Sequence, residues 1–461
     1  MKYIISGFIL AAAMNSAIAA PSIAALPIKA PKNIIMIIGD GMGPAYTTGY
    51  RYFHDDPNTP QIEQTVFDRH LKGLSSTYPA PVSGYITDSA AGATALSTGI
   101  KSYNGAIGVD VHKKRIETVL EWAKAHGKKT GVVVTSQINH ATPAGYLAHN
   151  ESRENYDAIA DSYFDDRINK HIKFDVAFGG GWRYFIRKDR NLVAQFKQAG
   201  FQYIDKLSQL TSLSADKPAL GLFADKGLPW ALDDKHPHRL AMMTKTATRL
   251  LENKHGYFML IEGSQIDWGG HANDIAAAMG EMDDLAKTLE YLEVYVKKHP
   301  DTLVVVTADH STGGLSLGAN GVYQWRPAML RNMKHSPIMI AKTLAQSPIN
   351  AATTRALFNS TLTNDEITLL QNTKRDPSSQ LVSHNKHGNP YADMHADKVK
   401  KALYKAIKQI INARTNTGWT SSGHTAVDVP VFAFGSHSTQ FNGKEDNTDI
   451  AKHIFSLLGK Q

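Results

Sequence analysis

The sequence predicts an α/β protein with a mostly parallel central sheet and helices on both faces. Two observations predict this class: six apolar stretches have the length of buried strands, and helical patterns separate them. Alternation of strand and helix is typical of parallel sheets, because each crossover carries a helix over one face. The six stretches are NIIMII (33–38), GYIT (84–87), KTGVVVT (129–135), YFMLI (257–261), TLVVVT (302–307) and VPVFAFG (429–435).

Helical periodicity runs through 116–127, 239–256 and 274–299, and the first two of these segments end in His-Gly, a common helix stop. Residues 315–423 differ, because they are rich in Asn, Thr, Ser, Lys and His and separate two predicted strands. One helix is predicted within them, at 396–414. We interpret 315–423 as a long insertion over the carboxyl edge of the sheet, within a single domain of residues 20–461.

The first 19 residues have the pattern of a secretory signal peptide: a basic start, an apolar core and Ala17-Ile18-Ala19 before the cleavage point. The alternative is an uncleaved anchor, although the apolar run is short for a span. The pattern predicts a periplasmic or secreted protein, and no later segment has ~18 uninterrupted apolar residues. The chain has no cysteine, so its stability does not depend on disulfides.

The charge distribution excludes one class of partner. The formal net charge is +8, but the basic residues are scattered and form no run typical of a nucleic-acid patch. We therefore expect no nucleic-acid partner and no membrane partner. A mild attraction for anionic small molecules is compatible with this charge.

Ser89 stands within GYITDSAAGATALSTG (84–99) and opens a run of Ala, Gly and Thr. Small residues allow close approach of a ligand, so Ser89 could be a nucleophile. No histidine stands nearby in sequence to act as a base, and the pattern is not the GxSxG elbow of hydrolases. The segment alone favours the other interpretation, a helix N-cap, since serine is common there.

Three predicted strands end in a carboxylate, at Asp40, Glu262 and Asp309, and His310 follows the last of them. Charged groups at the ends of buried strands are costly unless they are paired or bind a metal. The carboxyl ends of parallel strands meet at one edge of a sheet, where such proteins bind ligands. Three carboxylates on that edge therefore favour a common site over three separate caps.

Two further segments contribute to the same edge. Asp267 and His271 are four residues apart, a spacing that points both side chains at one site on a helix, and His424 directly precedes a predicted strand. Asp and His ligands without cysteine suit Zn²⁺ in an exported protein. A metal lowers the pKa of a coordinated oxygen, so it can activate Ser89 without a base. Two zinc ions ~4 Å apart would also clamp both ends of a phosphoryl transfer, and a helix start at Ser89 suits a phosphate.

Six motifs, in order, resemble those of the alkaline phosphatases, and the resemblance runs from about residue 32 to 459. The motifs are GDGMG (39–43), TDSAAGATALSTG (87–99), NHATPAGYLAHNESR (139–153), IEGSQIDWGGHAND (261–274), VVTADHSTGG (305–314) and SGHTAVDVPVFAFG (422–435). Insertion 315–423 resembles the family least. Relatives in this family are often dimers, which implies a homodimer here.

The resemblance implies a role for each residue that matches a motif. Ser89 matches the serine that forms a phosphoseryl intermediate, and Arg153 matches the guanidinium that grips two phosphate oxygens. The first zinc site is matched by Asp267, His271 and His424, and the second by Asp40, Asp309 and His310. A third site, normally for Mg²⁺, is matched by Asp40, Thr142 and Glu262.

Two positions depart from the pattern of the best-known bacterial members. His140 stands where many have Asp, and Trp268 stands where many have Lys. A neutral imidazole supplies less negative charge than a carboxylate, and Mg²⁺ prefers oxygen ligands, so we expect weak binding of the third metal. The loss of a lysine removes a cation that would otherwise help to hold phosphate.

The sequence therefore predicts an enzyme that hydrolyses phosphate monoesters at high pH, through a phosphoserine and with two Zn²⁺ ions and one Mg²⁺. One alternative is a phosphodiesterase or sulfatase of the same superfamily. Sulfatases need a C/S-x-P-x-R setting, whereas Ser89 is followed by Ala-Ala-Gly, and diesterases commonly use Thr as the nucleophile. Another alternative is a non-catalytic periplasmic protein that binds metal or phosphate.

Overall fold

The computed structural model describes residues 30–380 and 397–460, and the predicted signal peptide (1–19) lies outside these residues. The strands are β1 Asn33–Gly39, β2 Leu71–Ser76, β3 Lys129–Gln137, β4 Arg167–Ile168, β5 His171–Ile172, β6 Val176–Gly180, β7 Gln202–Ile204, β8 Ala219–Leu222, β9 Tyr257–Gly263, β10 Thr302–Thr307, β11 Ser311–Thr312, β12 Leu315–Leu317, β13 Thr417–Trp419, β14 His424–Thr425, β15 Val429–Gly435 and β16 Gly443–Asp446.

The α-helices lie between these strands and within the insertion. They are α1 Pro44–His54, α2 Val66–His70, α3 Ser89–Thr98, α4 Val119–Ala125, α5 Ala141–Leu147, α6 Tyr156–Asp165, α7 Trp182–Phe185, α8 Leu192–Gln198, α9 Arg239–Leu251, α10 Gln265–His271, α11 Ile275–Lys298, α12 Ala328–Asn332, α13 Pro337–Gln346, α14 Ala351–Phe358, α15 Asn364–Arg375, α16 Lys398–Thr415 and α17 Asn447–Leu457.

The central sheet has ten strands in the described residues, in the order β16-β2-β15-β10-β1-β9-β3-β6-β8-β7. β15 is antiparallel to both of its neighbours, β10 and β2, and every other pair in the sheet is parallel. The predicted mostly parallel sheet is therefore confirmed. Because β15 runs against the rest, its amino-terminal end lies at the carboxyl edge of the other strands.

Helices cover both faces of the sheet, as predicted. In β1, Ile35 and Ile37 belong to a buried cluster that includes α9 and α11, whereas Ile34, Met36 and Ile38 belong to a second cluster that includes α4, α5 and α17. A strand that is buried on both faces needs a continuous apolar run, which explains the NIIMII pattern.

One predicted strand is wrong. Residues 84–87 form no strand, and they follow a 3₁₀ turn at Pro81–Ser83. Gly84 has φ +79°, which lies outside the extended region of a strand. Tyr85 is 83% exposed, so its side chain does not pack against the sheet. Its composition resembled a strand, but its apolar side chains face the surface.

Insertion 315–423 is mainly helical in its described part and shares the core of the domain. Ile340 and Leu344 of α13, together with Leu403 and Ile407 of α16, belong to the same buried cluster as α11. The helix predicted at 396–414 is confirmed as α16. This helix lies against residues 272–274, which follow α10 at the carboxyl edge of the sheet.

Candidate metal centre

The first cluster of candidate ligands consists of Asp267, His271 and His424. α10 begins just after the end of β9 and carries Asp267 and His271 one turn apart, whereas His424 lies in β14, just ahead of the reversed strand β15. Asp267 Oδ2 lies 3.3 Å from His271 Nε2, and Asp267 Oδ1 lies 3.6 Å from His424 Nε2. The reversal of β15 therefore brings His424 to the edge where β9 ends.

The two histidines of this cluster are held in one tautomer. His271 Nδ1 lies 2.6 Å from the carbonyl oxygen of Ser422, and His424 Nδ1 lies 2.8 Å from that of Thr87. A carbonyl oxygen only accepts, so each Nδ1 carries a proton, and the neutral form of each ring has its lone pair on Nε2. The two Nε2 atoms are only 3.1 Å apart. Two lone pairs at this distance repel unless a cation lies between them, which fits a metal.

The second cluster consists of Asp40, Asp309 and His310, and it surrounds Ser89. His310 Nε2 lies 3.4 Å from Asp40 Oδ1, 3.3 Å from Asp309 Oδ2 and 3.1 Å from Ser89 Oγ. Ser89 Oγ lies 3.5 Å from Asp40 Oδ1. Asp40 and Asp309 follow the neighbouring strands β1 and β10, so the parallel pairing of these strands sets their separation.

Without a cation, the protein does not stabilise the ionised carboxylates of this cluster. Burial, followed by the charges of Asp309 and Asp267, raises the pKa of Asp40 well above its ordinary value. Burial and the charge of Asp267 raise the pKa of Asp309 to about 8. Burial and the charge of His424 lower the pKa of His310. A cation at the centre would favour the ionised carboxylates and the neutral imidazole.

The third cluster consists of Asp40, His140 and Glu262, with Thr142 nearby on α5. Glu262 Oε2 accepts hydrogen bonds from Ser136 and Ser264, and burial raises the pKa of Glu262 to about 7.

Several buried polar atoms of the second and third clusters have no hydrogen-bond partner within residues 30–380 and 397–460. They are Asp40 Oδ2, Asp309 Oδ2, Glu262 Oε1, Thr142 Oγ1 and His140 Nδ1. Buried polar atoms without partners are rare in native proteins and need a ligand to satisfy them. The oxygens fit a hard cation, and the His/Asp sets of the first two clusters fit zinc.

Arg153 points into the same region, where two side chains orient it. Its Nη1 donates to Asp88 Oδ2 at 3.0 Å, and its Nη2 lies 3.4 Å from His140 Nε2. Burial and the charge of Arg153 lower the pKa of His140 to about 3, so this imidazole is neutral and its Nε2 can accept from the guanidinium. A cavity of about 450 Å³ is lined by Ser89, Arg153, His140, the first cluster and Trp268.

Asp88 is a candidate site residue that sequence reasoning missed. It is the N-cap of α3, where its Oδ1 accepts from the backbone N–H of Ala91 at 2.9 Å. Ser89 is therefore the first helical residue, and the alternative interpretation of Ser89 as the N-cap is wrong. The signal was present in the adjacent letters "TDS", since Asp is as good a cap as Ser. Its second contact, to Arg153, comes from a segment far away in sequence.

Trp268 lies at the base of the cavity and is 3% exposed. Its ring meets His140 edge-on, with ring centroids 5.9 Å apart. It also shares a small buried hydrophobic cluster with Trp230, Ala277 and Ile338. The structure thus gives Trp268 a packing role beside the site in place of a cation.

The comparisons with known proteins agree with this geometry. The family model described as alkaline phosphatase matches residues 31–460. The chain belongs to the alkaline phosphatase family. Alkaline phosphatase 3 of Bacillus subtilis (strain 168) is 44% identical over 432 residues, which cover 93% of this chain and 89% of the relative. Alkaline phosphatase 4 of the same organism is 45% identical, and the match covers 93% of this chain and 88% of the relative.

A solved structure of a cold-active alkaline phosphatase from the psychrophile Shewanella sp. is 48% identical and has a TM-score of 0.84. The match covers 92% of this chain and 99% of the Shewanella chain. The predicted class of enzyme, a phosphomonoesterase of this family, is confirmed, and so is the predicted fold. In the part of the chain that the structure describes, every helix is too short or too polar to cross a membrane.

Proposed function

We propose that this alkaline phosphatase hydrolyses phosphate monoesters through a covalent phosphoserine on Ser89, with two zinc ions and a third, magnesium site. One observation carries the proposal. The Ser89 hydroxyl is buried at the start of α3, 3.1 Å from His310 Nε2, and opens into the same cavity as Arg153. A serine in this position faces candidate metal ligands on one side and a phosphate-binding guanidinium on the other.

The donor sets support an assignment of metals. Asp267, His271 and His424 would hold one zinc ion, and Asp40, Asp309 and His310 would hold the other. Asp40, Glu262 and Thr142 would supply oxygens to Mg²⁺. Bound there, the metals supply Lewis-acid charge and lower the pKa of coordinated oxygens.

The side chains would divide the reaction between them. Ser89 Oγ would lose its proton and form a bond to phosphorus while the bond to the ester oxygen breaks, and the ester oxygen would leave as the protonated alcohol. Water would then lose a proton and attack the same phosphorus, and the serine oxygen would leave and regain its proton. Two displacements at phosphorus give overall retention of configuration. The two terminal nitrogens of Arg153 would hold two phosphoryl oxygens, and the N-terminal N–H groups of α3 would favour the same anion. We expect the activity to be highest at alkaline pH.

His140 is the basis for a weakly held third metal. Its imidazole lies in the third cluster, where a carboxylate would add an anionic ligand. Solved structures exist of the alkaline phosphatase from the Antarctic bacterium TAB5 in which a histidine is replaced by Glu or by Asp and Mg is bound in the M3 site. These structures are 27% identical to this chain, with TM-scores of 0.67.

We also propose a periplasmic or secreted location, on the pattern of residues 1–19, and a homodimer. The exposed apolar side chains of Val82, Tyr85 and Ile86, the last of which lines the cavity, are compatible with a covered surface. Light scattering on the purified mature chain tests the assembly state, and fractionation of the native host tests the location.

Ser89→Ala tests the covalent step. The change should abolish labelling of acid-quenched protein by radioactive phosphate and remove most of the activity, while the zinc content stays near that of the wild type. Ser97→Ala is the matched control, because Ser97 is buried in the same helix and its hydroxyl donates to the backbone carbonyls of Thr94 and Gly145. A label on a residue other than Ser89 would contradict the proposal. Preference for bis-nitrophenyl over nitrophenyl phosphate would favour the diesterase alternative.

A further inference from the structure

Thr312 contacts both candidate zinc sites through a single hydroxyl group. Its Oγ1 donates to Asp267 Oδ1 at 2.5 Å, and the same oxygen lies 3.2 Å from His310 Nδ1. Asp267 belongs to the first cluster and His310 to the second. All three side chains are buried, with Thr312 and His310 fully so. Water therefore does not compete for these contacts.

The chemistry of the three groups fixes the direction of both hydrogen bonds. A hydroxyl group has one proton, and an ionised carboxylate only accepts, so the Thr312 proton goes to Asp267. The Thr312 oxygen can then only accept from His310, which requires the His310 proton to be on Nδ1. His310 Nε2 is left with its lone pair, and this atom faces Ser89 Oγ at 3.1 Å and Asp40 Oδ1 at 3.4 Å.

Three contacts fix the backbone of Thr312. In the pairing of β11 with β14, Thr312 is directly opposite His424, the third ligand of the first cluster. Thr312 N donates to the carbonyl of Gly41, and Tyr46 Oη donates to the carbonyl of Thr312 at 2.7 Å. Gly41 has φ +72°, and a Cβ there would lie 2.7 Å from Thr312 Oγ1. The glycine after Asp40 thus leaves room for the hydroxyl.

We propose that Thr312 is a positioning residue that couples the two zinc sites, by orienting the Asp267 carboxylate and by keeping His310 in the tautomer that presents Nε2 to the second site. This inference rests on the zinc assignment under Proposed function. Groups that hydrogen-bond to metal ligands in this way typically contribute 10–100-fold to metal affinity. Because one hydroxyl serves both sites, its removal should weaken both zinc ions together.

The test compares Thr312→Val, which has a similar shape without the hydroxyl, with Thr312→Ser, which keeps it. Zinc affinity is measured by competition with a chelating dye on metal-free protein. Thr312→Val should weaken both zinc ions by roughly 10–100-fold, and Thr312→Ser should restore most of the loss. Thr354→Val is the matched control, since Thr354 is a buried threonine whose hydroxyl donates to the carbonyls of Asn350 and Ala351 at the start of α14.

A second readout reports on the histidine itself. In metal-free protein labelled with ¹⁵N-histidine, the His310 signals, assigned with His310→Ala, should show a protonated Nδ1 in the wild type and in Thr312→Ser, but a mixture of tautomers in Thr312→Val. Unchanged zinc affinity and an unchanged tautomer in Thr312→Val would overturn the inference. If Thr312→Val weakened the binding of one zinc ion and left the other unchanged, the proposed coupling of the two sites would be wrong. If the wild type itself binds no zinc, the metal assignment under Proposed function fails instead.

Discussion

At the scale of single residues, the site depends on side chains that orient other side chains. Each histidine of the first two clusters makes a second contact through Nδ1: His271 to Ser422, His424 to Thr87, and His310 to Thr312. These contacts leave every Nε2 free to act as a ligand. Arg153 is likewise oriented, by Asp88 and His140, before any phosphate arrives. Such preorganisation reduces the entropic cost of binding.

Arg153→Ala should lower kcat/KM by roughly 10–100-fold and weaken inhibition by inorganic phosphate. The reason is that the change removes a bidentate, charge-assisted contact of about 1.5–3 kcal/mol. Steady-state kinetics with nitrophenyl phosphate measures both effects. Arg190→Ala is the control, because Arg190 makes a bidentate pair with Asp165 at the surface. Phosphate inhibition unchanged in Arg153→Ala would indicate that Arg153 only braces Asp88.

The double variant His140→Asp with Trp268→Lys should bind Mg²⁺ and phosphate more tightly and have a lower kcat. The aspartate adds a ligand oxygen, and the lysine adds a cation that slows release of the phosphate product. The wild type should be activated by added Mg²⁺. Magnesium titrations of activity and of calorimetric binding check both statements. Full occupancy by tightly bound Mg²⁺ in purified wild type would contradict them.

The single variants separate two effects. His140→Asp alone should carry the gain in magnesium affinity. Trp268→Lys alone should lower the melting temperature, because Trp268 packs against Trp230 and Ile338, and loss of a buried aromatic ring costs about 3–5 kcal/mol. A Trp268→Lys variant as stable as the wild type would show that this packing contributes little.

At the scale of secondary-structure elements, the ends of strands and helices build the site. The sequence identified Asp40, Glu262 and Asp309 correctly as residues at strand ends, because long apolar runs define β1, β9 and β10 without ambiguity. It could not give the direction of β15, because apolar periodicity is the same in both directions. The reversed direction of β15 is what places His424, which precedes this strand, at the carboxyl edge of the other strands. Similarly, no local pattern distinguishes Asp88 from Ser89 as the cap of α3.

α4 begins with a buried carboxylate whose protonation should affect stability. Glu121 Oε1 accepts from Arg115 at 2.6 Å, lies 2.9 Å from His149 Nε2 and forms an ion pair with Lys173 at 3.0 Å. Glu121 also closes a capping box with Thr118. Burial alone would raise the pKa of Glu121, but the hydrogen bond and charge of His149 and the charges of Lys173 and Arg115 lower it to about 2. A folded-state pKa below the ordinary 4.5 means that the ionised group stabilises the fold above about pH 4.5.

Glu121→Gln should therefore be less stable than the wild type by about 3 kcal/mol near pH 6, and the difference should shrink as the pH falls from about 4.5 towards 2. Urea unfolding of the metal-free proteins at several pH values measures it. Glu117→Gln is the control, because Glu117 forms a surface ion pair with Lys460. A difference for Glu121→Gln that stays constant with pH would assign it to lost packing.

At the scale of the whole molecule, helix α16, within segment 315–423, contacts the turn that follows the first candidate cluster. Three side chains of α16 bind the segment that follows His271: Tyr404 donates to Asp274 Oδ2 at 3.0 Å, Lys408 donates to the carbonyl of Ala272, and Asn412 donates to that of Asn273 at 3.3 Å. The same helix is anchored in the core beside α11. The turn that follows the first candidate cluster is therefore held by a segment more than a hundred residues away in the chain.

Tyr404→Phe should weaken zinc at the first site by roughly fivefold, because the hydroxyl's bond to Asp274, worth about 1 kcal/mol, steadies the turn that carries His271. Removal of zinc should in turn loosen the insertion, since binding and local order are linked. Limited proteolysis should then cut first within 315–423, and faster in metal-free protein. Tyr291→Phe is the matched control, because its hydroxyl bonds to Thr248, away from the site. Equal zinc affinity in both variants, with cleavage of 315–423 at the same rate with and without zinc, would mean that the insertion and the metal centre are stabilised independently.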